Sequence, residues 1–289
     1  MLKENNVDAF LDAFLDGKRN TDTDIDFWND PQQSRQDGRA DLWDGGTAAA
    51  VPYHKGRLSI RSRLSIFCVL FLIPVTIWLG VHYLNDRKYL LISLAIAVFS
   101  MLPFFIAFED RKPQARELVI IAVQAALAVA GRAVLFMLPS CKPVAAIVIV
   151  TAVSFGPESG FLVGAISMLA SNMMFGQGPW TPWQMFAMGL IGLAAGVLFQ
   201  KGWMKADKKT LCVFGFLAAV FLYGGIMNPA SLVMMSYKIN QHNLLAIYIS
   251  GLPVDLTHGA ATALFLFFGG RPMIEKLERI KRKYGLIEN

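Results

Sequence analysis

Three groups of residues in this chain could do chemistry. Arg132 stands well inside an otherwise apolar run, Glu117–Leu138, where no other Lys or Arg is found. Asp255 and His258 lie three residues apart in a second apolar run, a spacing that puts both on one face of a helix. The third group is a polar and aromatic stretch, Ser171–Met185, which reads SNMMFGQGPWTPWQM and holds Asn172, Gln177, Trp180, Thr181, Trp183 and Gln184. A charge in an apolar run costs about 3 kcal/mol on insertion scales, so Arg132 must face a partner or a wet cavity. Two readings follow: a structural ion pair between Arg132 and Asp255, or a polar floor for a ligand pocket. The polar residues of the third group, set among Trp, Met and Phe, match the make-up of a small-molecule site. The plainer reading of that stretch is an interfacial loop with an aromatic belt. Gly176, Gly178, Pro179 and Pro182 interrupt the helical pattern, so the whole stretch is expected to be a loop.

Several other chemistries have no support in the sequence. No Gly-rich phosphate loop ending in Gly-Lys-Ser/Thr is present, so ATP hydrolysis would have to come from other polypeptides. No His-Glu-x-x-His zinc motif and no metal ligand set is legible, and no covalently bound cofactor is expected. Ser250 lacks the nucleophile elbow that a hydrolase pairing with His258 would need. Cys68, Cys141 and Cys212 form no disulfide framework.

The elements that must position these residues are membrane helices. The chain has 289 residues, 55% hydrophobic and only 17% charged, against about 25% charged in a soluble domain. A span needs about 20 mostly apolar residues. Eight runs qualify: Leu64–Leu84, Tyr89–Phe108, Glu117–Leu138, Pro143–Phe155, Ser159–Phe175, Pro182–Gln200, Thr210–Met227 and Asn243–Phe268. The fourth is short and could merge with the fifth across Gly156–Gly160. Charge favours eight separate spans. They collect most Lys and Arg, including those of the basic tail, on the side of both termini, which the positive-inside rule makes cytoplasmic. The net charge of +6 is thus an orientation signal and not a nucleic-acid signal.

The predicted organisation is an all-α polytopic protein of the cell membrane. Residues 1–63 form an acidic cytoplasmic arm and linker, 64–108 a two-span anchor, 116–271 a six-span core and 272–289 a basic cytoplasmic tail. No signal peptide is expected, because the first residues are polar and acidic. Asp8, Asp12 and Asp16 share one face of a short helix in the arm, and Thr21–Val51 reads as disordered. In the core, Ala122, Ala126 and Ala130 recur every fourth residue. Such a ladder admits close approach of a neighbouring helix, either within the chain or from another membrane subunit.

The motifs Gly131-Arg132-Ala133, Phe155-Gly156-Pro157-Glu158-Ser159-Gly160-Phe161, Gly176-Gln177-Gly178-Pro179-Trp180-Thr181-Pro182-Trp183-Gln184-Met185 and Gly251-Leu252-Pro253-Val254-Asp255-Leu256-Thr257-His258 resemble those of the substrate-binding (S) component of energy-coupling factor transporters. The likeness runs from about Arg116 to Arg271, and the Trp-rich motif is similar to a cobalamin-type branch. The resemblance implies a six-helix core that captures one vitamin or related micronutrient under its external loops. It also implies a transmembrane coupling subunit docked on Ala122, Ala126 and Ala130, and two cytoplasmic ATPases that hydrolyse ATP. The substrate residues it implies are Arg132, Asn172, Gln177, Trp180, Thr181, Trp183, Gln184, Asp255 and His258. The arm and the two added spans depart from the family pattern. A stand-alone secondary carrier and, less favoured, an intramembrane enzyme using Asp255 and His258 are the competing readings.

Overall fold

The computed structural model describes residues 115–235 and 240–283, with single positions between 95 and 109. The acidic arm and the first predicted span lie outside the described residues. All regular structure among the described residues is helical. From residue 115 onward it forms six rods: α1 (Ala115–Val134), α2 (Val144–Phe155), α3 (Pro157–Phe175) and α4 (Thr181–Gln200); then α5 (Lys208–Leu217) joined by a π segment, Ala218–Tyr223, to α6 (Gly224–Met234); and last α7 (Gln241–Phe265) joined by a second π segment, Leu266–Gly270, to α8 (Arg271–Lys283). Four stretches are long and apolar enough to cross a membrane: Glu117–Val134, Thr181–Gln200, Lys208–Met234 and Gln241–Lys283, with Val144–Phe155 a shorter apolar helix. Leu118, Val119, Val123, Phe221, Leu252 and Phe268 are exposed on the outside of the bundle, as a lipid-facing surface requires.

Several predicted boundaries move. The Trp-rich stretch is not one loop: Ser171–Phe175 completes α3 and Thr181–Met185 opens α4, leaving only residues 176–180 between them. Pro182 does not break α4 because it sits in the first turn, where a helix N–H has no intrahelical partner to lose. The first core helix ends at Val134, four residues before Leu138. The rod predicted as Thr210–Met227 starts at Lys208, where Asp207 caps its first turn, and runs on to Met234. The final rod starts at Gln241 and passes Phe268 without stopping. The stretch 272–283, predicted as a basic tail, is therefore helix, with Ile274 and Leu277 buried on one face.

The short fourth span stays separate from the fifth. Gly156 has φ +107°, a backbone state that side chains rarely adopt, and Pro157 starts α3 directly after it. A Cβ at Gly160 would lie 2.4 Å from the Ala152 Cβ, so the chain turns sharply at Gly156 and does not continue as one rod.

Small residues then set the register of two antiparallel pairs. On α3 and α4, a Cβ at Gly160 would meet the Gly192 carbonyl at 3.0 Å, one at Gly164 the Met188 carbonyl at 2.6 Å, and one at Gly196 the Pro157 nitrogen at 2.4 Å. Without a hydrophobic drive between helices in lipid, such close backbone packing supplies the association. The second pair is α5–α6 against α7, where Gly215 faces Leu266, Gly224 faces Asp255, Gly251 faces Asn228 and Gly259 faces Val220. By contrast α1 runs parallel to α3: Glu117 accepts from Ser159 at one end and Arg132 donates to Asn172 at the other.

The core lies around α2, of whose twelve residues only Val153 is not buried. The described positions of the second predicted span are helical and reach this core. Phe108 is buried in it, and Phe105 meets Phe161 of α3 edge-on at 6.3 Å. The bundle thus has two ends. One carries Gly156, Gln200, Asp207 and Arg271, and the other carries Arg132, Lys142, the 176–180 turn and Met235.

Candidate functional site

The α3–α4 register brings Asn172, near the end of one helix, opposite Thr181, at the start of the next. Asn172 Nδ2 donates to Thr181 Oγ1 at 3.0 Å and to Gln184 Oε1 at 2.8 Å. Its Oδ1 accepts from Arg132 Nη1 at 2.9 Å, and the same nitrogen donates to Ser171 Oγ at 2.5 Å. One buried amide therefore ties three helices together. Phe175 closes the other side of the guanidinium, its ring centre 5.4 Å away and itself stacked on Phe136 at 4.9 Å. A fully buried Asn costs stability unless its donors and acceptor are all used, and here they are.

The turn above this network is shaped by its glycines. A Cβ at Gly178 would fall 2.4 Å from the Trp180 ring, so glycine is what lets that ring fold back over the turn. Gly176 has φ +112°. Trp180 is 40% exposed. Trp183 Nε1 is buried with no hydrogen-bond partner, which makes it an open donor beside the network. Gln177 stands apart: it is exposed and donates to the Leu169 carbonyl at 3.2 Å.

Asp255 and His258 belong to a second polar group, between α5–α6 and α7. Asn228 Nδ2 donates to Asp255 Oδ2 at 2.8 Å. The Tyr223 ring meets the His258 imidazole edge-on at 4.9 Å. Room for these side chains comes from glycine: a Cβ at Gly224 would lie 2.6 Å from the Asp255 carboxylate, and one at Gly251 would lie 2.4 Å from the Asn228 amide oxygen. Pro229 has no N–H, which frees the Gly225 carbonyl one turn earlier. Tyr248 takes up that carbonyl with its hydroxyl at 2.9 Å.

The Arg132–Asp255 pair, one of the two readings of these residues, is not formed. Arg132 lies in the last turn of α1, near the rim, whereas Asp255 faces Gly224, ten residues before the end of α6 and so roughly 15 Å deep. The early stop of α1 at Val134 is the physical reason. Ser171 and Tyr223 were missed in the sequence. Ser171 adjoins Asn172, and Tyr223 is a hydroxyl-bearing ring in an apolar rod; neither signal is specific by itself.

Ala122, Ala126 and Ala130 are exposed and line an apolar groove of about 680 Å³ between α1 and α3, with Ile166, Ala170 and Met174 on its far wall. Among the described residues no cluster of His, Cys, Asp or Glu could hold a metal ion.

Residues 112–267 match the family model described as the ECF-type riboflavin transporter, S component, which is more than half of the chain. A UPF0397 protein of Aliivibrio fischeri strain MJ11 is 32% identical over 123 residues, covering 38% of this chain and 67% of the relative. A UPF0397 protein of Vibrio atlanticus strain LGP32 is 28% identical over 124 residues, covering 40% of this chain and 68% of that relative. No solved structure matches. The match reaches the S component and does not extend to the cobalamin-type branch. With its helical rods, lipid-facing surface and matched core, this chain belongs to the S component family of energy-coupling factor transporters, as a multi-pass membrane protein.

Proposed function

We propose that this chain captures a vitamin or related micronutrient outside the cell and delivers it inward with a transmembrane coupling subunit and two cytoplasmic ATPases. Family membership makes it a transporter subunit and not an enzyme. The observation that carries the reading is the network joining Arg132, Ser171, Asn172, Thr181 and Gln184 beneath the Trp180 turn. It is a polar group at one end of a membrane bundle, and it leaves the buried Trp183 donor open.

Charge supports the orientation. Lys201, Lys205, Lys208, Lys209, Arg271 and the α8 cations gather at the end opposite this network, and that end is cytoplasmic under the positive-inside rule. The network end then faces out. The groove lined by Ala122, Ala126 and Ala130 is the docking surface for the coupling subunit, because small side chains let a second helix approach closely. Riboflavin is the first cargo to test, since the family description names it. Cobalamin or a corrinoid precursor, suggested by the Trp-rich motif, is the second.

The experiment is uptake into proteoliposomes. The chain co-reconstituted with a coupling subunit and both ATPases should accumulate cargo only with ATP, and Ala126→Leu should abolish this while leaving cargo binding intact. Accumulation by the chain alone would support the secondary-carrier reading and overturn the proposal.

A further inference from the structure

Among the described residues, the cations at the network end have no anionic partner. Arg132 spends Nη1 on Ser171 and Asn172, both neutral. A guanidinium has five N–H donors in a planar fork, and the hydrogen bonds Arg132 makes among the described residues, to Ser171, Asn172 and the Met168 sulfur, all come from Nη1. Lys142, on the loop after α1, donates to the Leu138 carbonyl and likewise has no carboxylate partner among the described residues. Pro143, which follows Lys142, packs against Gly131, which precedes Arg132, so the two cations are brought to the same corner of the rim. Asp255, roughly 15 Å deep and bonded to Asn228, does not pair with either of them.

A half-buried guanidinium normally takes a carboxylate or phosphate, because bidentate charge-assisted bonds offset its desolvation. The neighbouring groups are arranged for that. Ser171 and Asn172 fix one edge of the fork, and Phe175 covers a face, so the remaining edge has a set direction. We infer that the ligand of this site carries an anionic group, a carboxylate or a phosphate, that docks between Arg132 and Lys142 at the rim. This inference rests on the proposed capture role and adds the chemical class of what is captured.

The test is equilibrium binding to the purified full-length chain in lipid nanodiscs, using pairs that differ in one anionic group: riboflavin and flavin mononucleotide, nicotinamide and nicotinate, pantothenol and pantothenate, biotinamide and biotin. The anionic member of at least one pair should bind more tightly by about tenfold or more, as a charge-assisted contact allows. Arg132→Gln should remove that preference. Lys142→Gln, on the loop and outside the network, should weaken the anionic member by about threefold and leave the neutral member unchanged. Arg132→Lys should retain part of the preference, which separates charge from folding. Tighter binding of a neutral member, unchanged by Arg132→Gln, would overturn the inference and leave the capture role standing. Binding of no member would overturn the inference, and the further absence of any vitamin-sized compound retained by the purified chain would overturn the capture role.

Discussion

The α3–α4 pair and the α5–α6/α7 pair are both antiparallel and both packed through glycine, yet they are built for different purposes. On α3–α4 all the glycines but Gly189, which faces the Phe161 ring, press against backbone: a Cβ at Gly192 would collide with the Gly160 carbonyl, and one at Gly164 would lie 2.6 Å from that of Met188. Both helices are uninterrupted. On α5–α6/α7 the glycines face side-chain ends, the Asp255 carboxylate and the Asn228 amide among them. This pair also carries two π segments and two internal prolines, Pro229 and Pro253. Backbone cannot yield, whereas a side-chain end can. The first pair therefore fixes where Arg132, Asn172 and Thr181 meet, and the second holds polar groups that can re-aim. π segments of this kind mark helices bent to a functional need.

The sharpest way to break this comparison is to fill both interfaces. Gly192→Val should destabilise the protein by about 3 kcal/mol, because the new side chain collides with a carbonyl. Thermal unfolding in detergent should show the loss. Asn172→Ala comes next: it removes the amide that joins three helices and strips Arg132 of an acceptor, at about 2 kcal/mol. Cargo binding should fall with it.

Gly224→Ala should cost only about 1 kcal/mol, since the Asp255 carboxylate can swing away. It should nonetheless reduce cargo affinity, while Gly225→Ala, whose Cβ meets nothing within 4 Å, should reduce neither. Equal melting shifts for Gly192→Val and Gly224→Ala would remove the distinction between a fixed pair and an adjustable one.

A further effect of similar size, confined to stability, lies at the far end of the second pair. Asp207 accepts from the Thr210 hydroxyl at 2.6 Å and from the Lys209 and Thr210 amides, and these bonds hold its carboxyl below the usual range. A depressed folded pKa means that the cap's contribution is complete above the ordinary carboxylate range and is lost as pH falls through the lower folded value. Asp207→Ala should cost about 1 kcal/mol at neutral pH. The difference from wild type should shrink in acid, which a melting series across pH would record.

Much of this was legible in the residues. Arg132 announced itself as an isolated charge, and Asn172, Thr181 and Gln184 as polar residues at the edge of the bilayer; the structure joins them in one network. What the pattern could not convey was depth and partner. Proline and glycine in Ser171–Met185 suggested a loop, but Pro182 opens a helix and does not end one. The basic residues after Arg271 mark a tail by charge alone, and Ile274 and Leu277 give it a buried stripe that continues the helix. Arg132 and Asp255 looked matched in depth only while α1 was extended to Leu138. Tyr223 has no spacing signal, because the π segment that aims it at His258 depends on its neighbours in space.

The central claim is that the network beneath the Trp180 turn holds one small nutrient. Mass spectrometry of small molecules retained by the purified chain, from cells grown in complete medium, tests it most directly. Wild type should retain a single vitamin-sized compound in near-equimolar amount, and Asn172→Ala should retain almost none while Gly225→Ala retains it fully. An identical yield of the compound from Asn172→Ala, in protein that still melts cooperatively, would contradict the account.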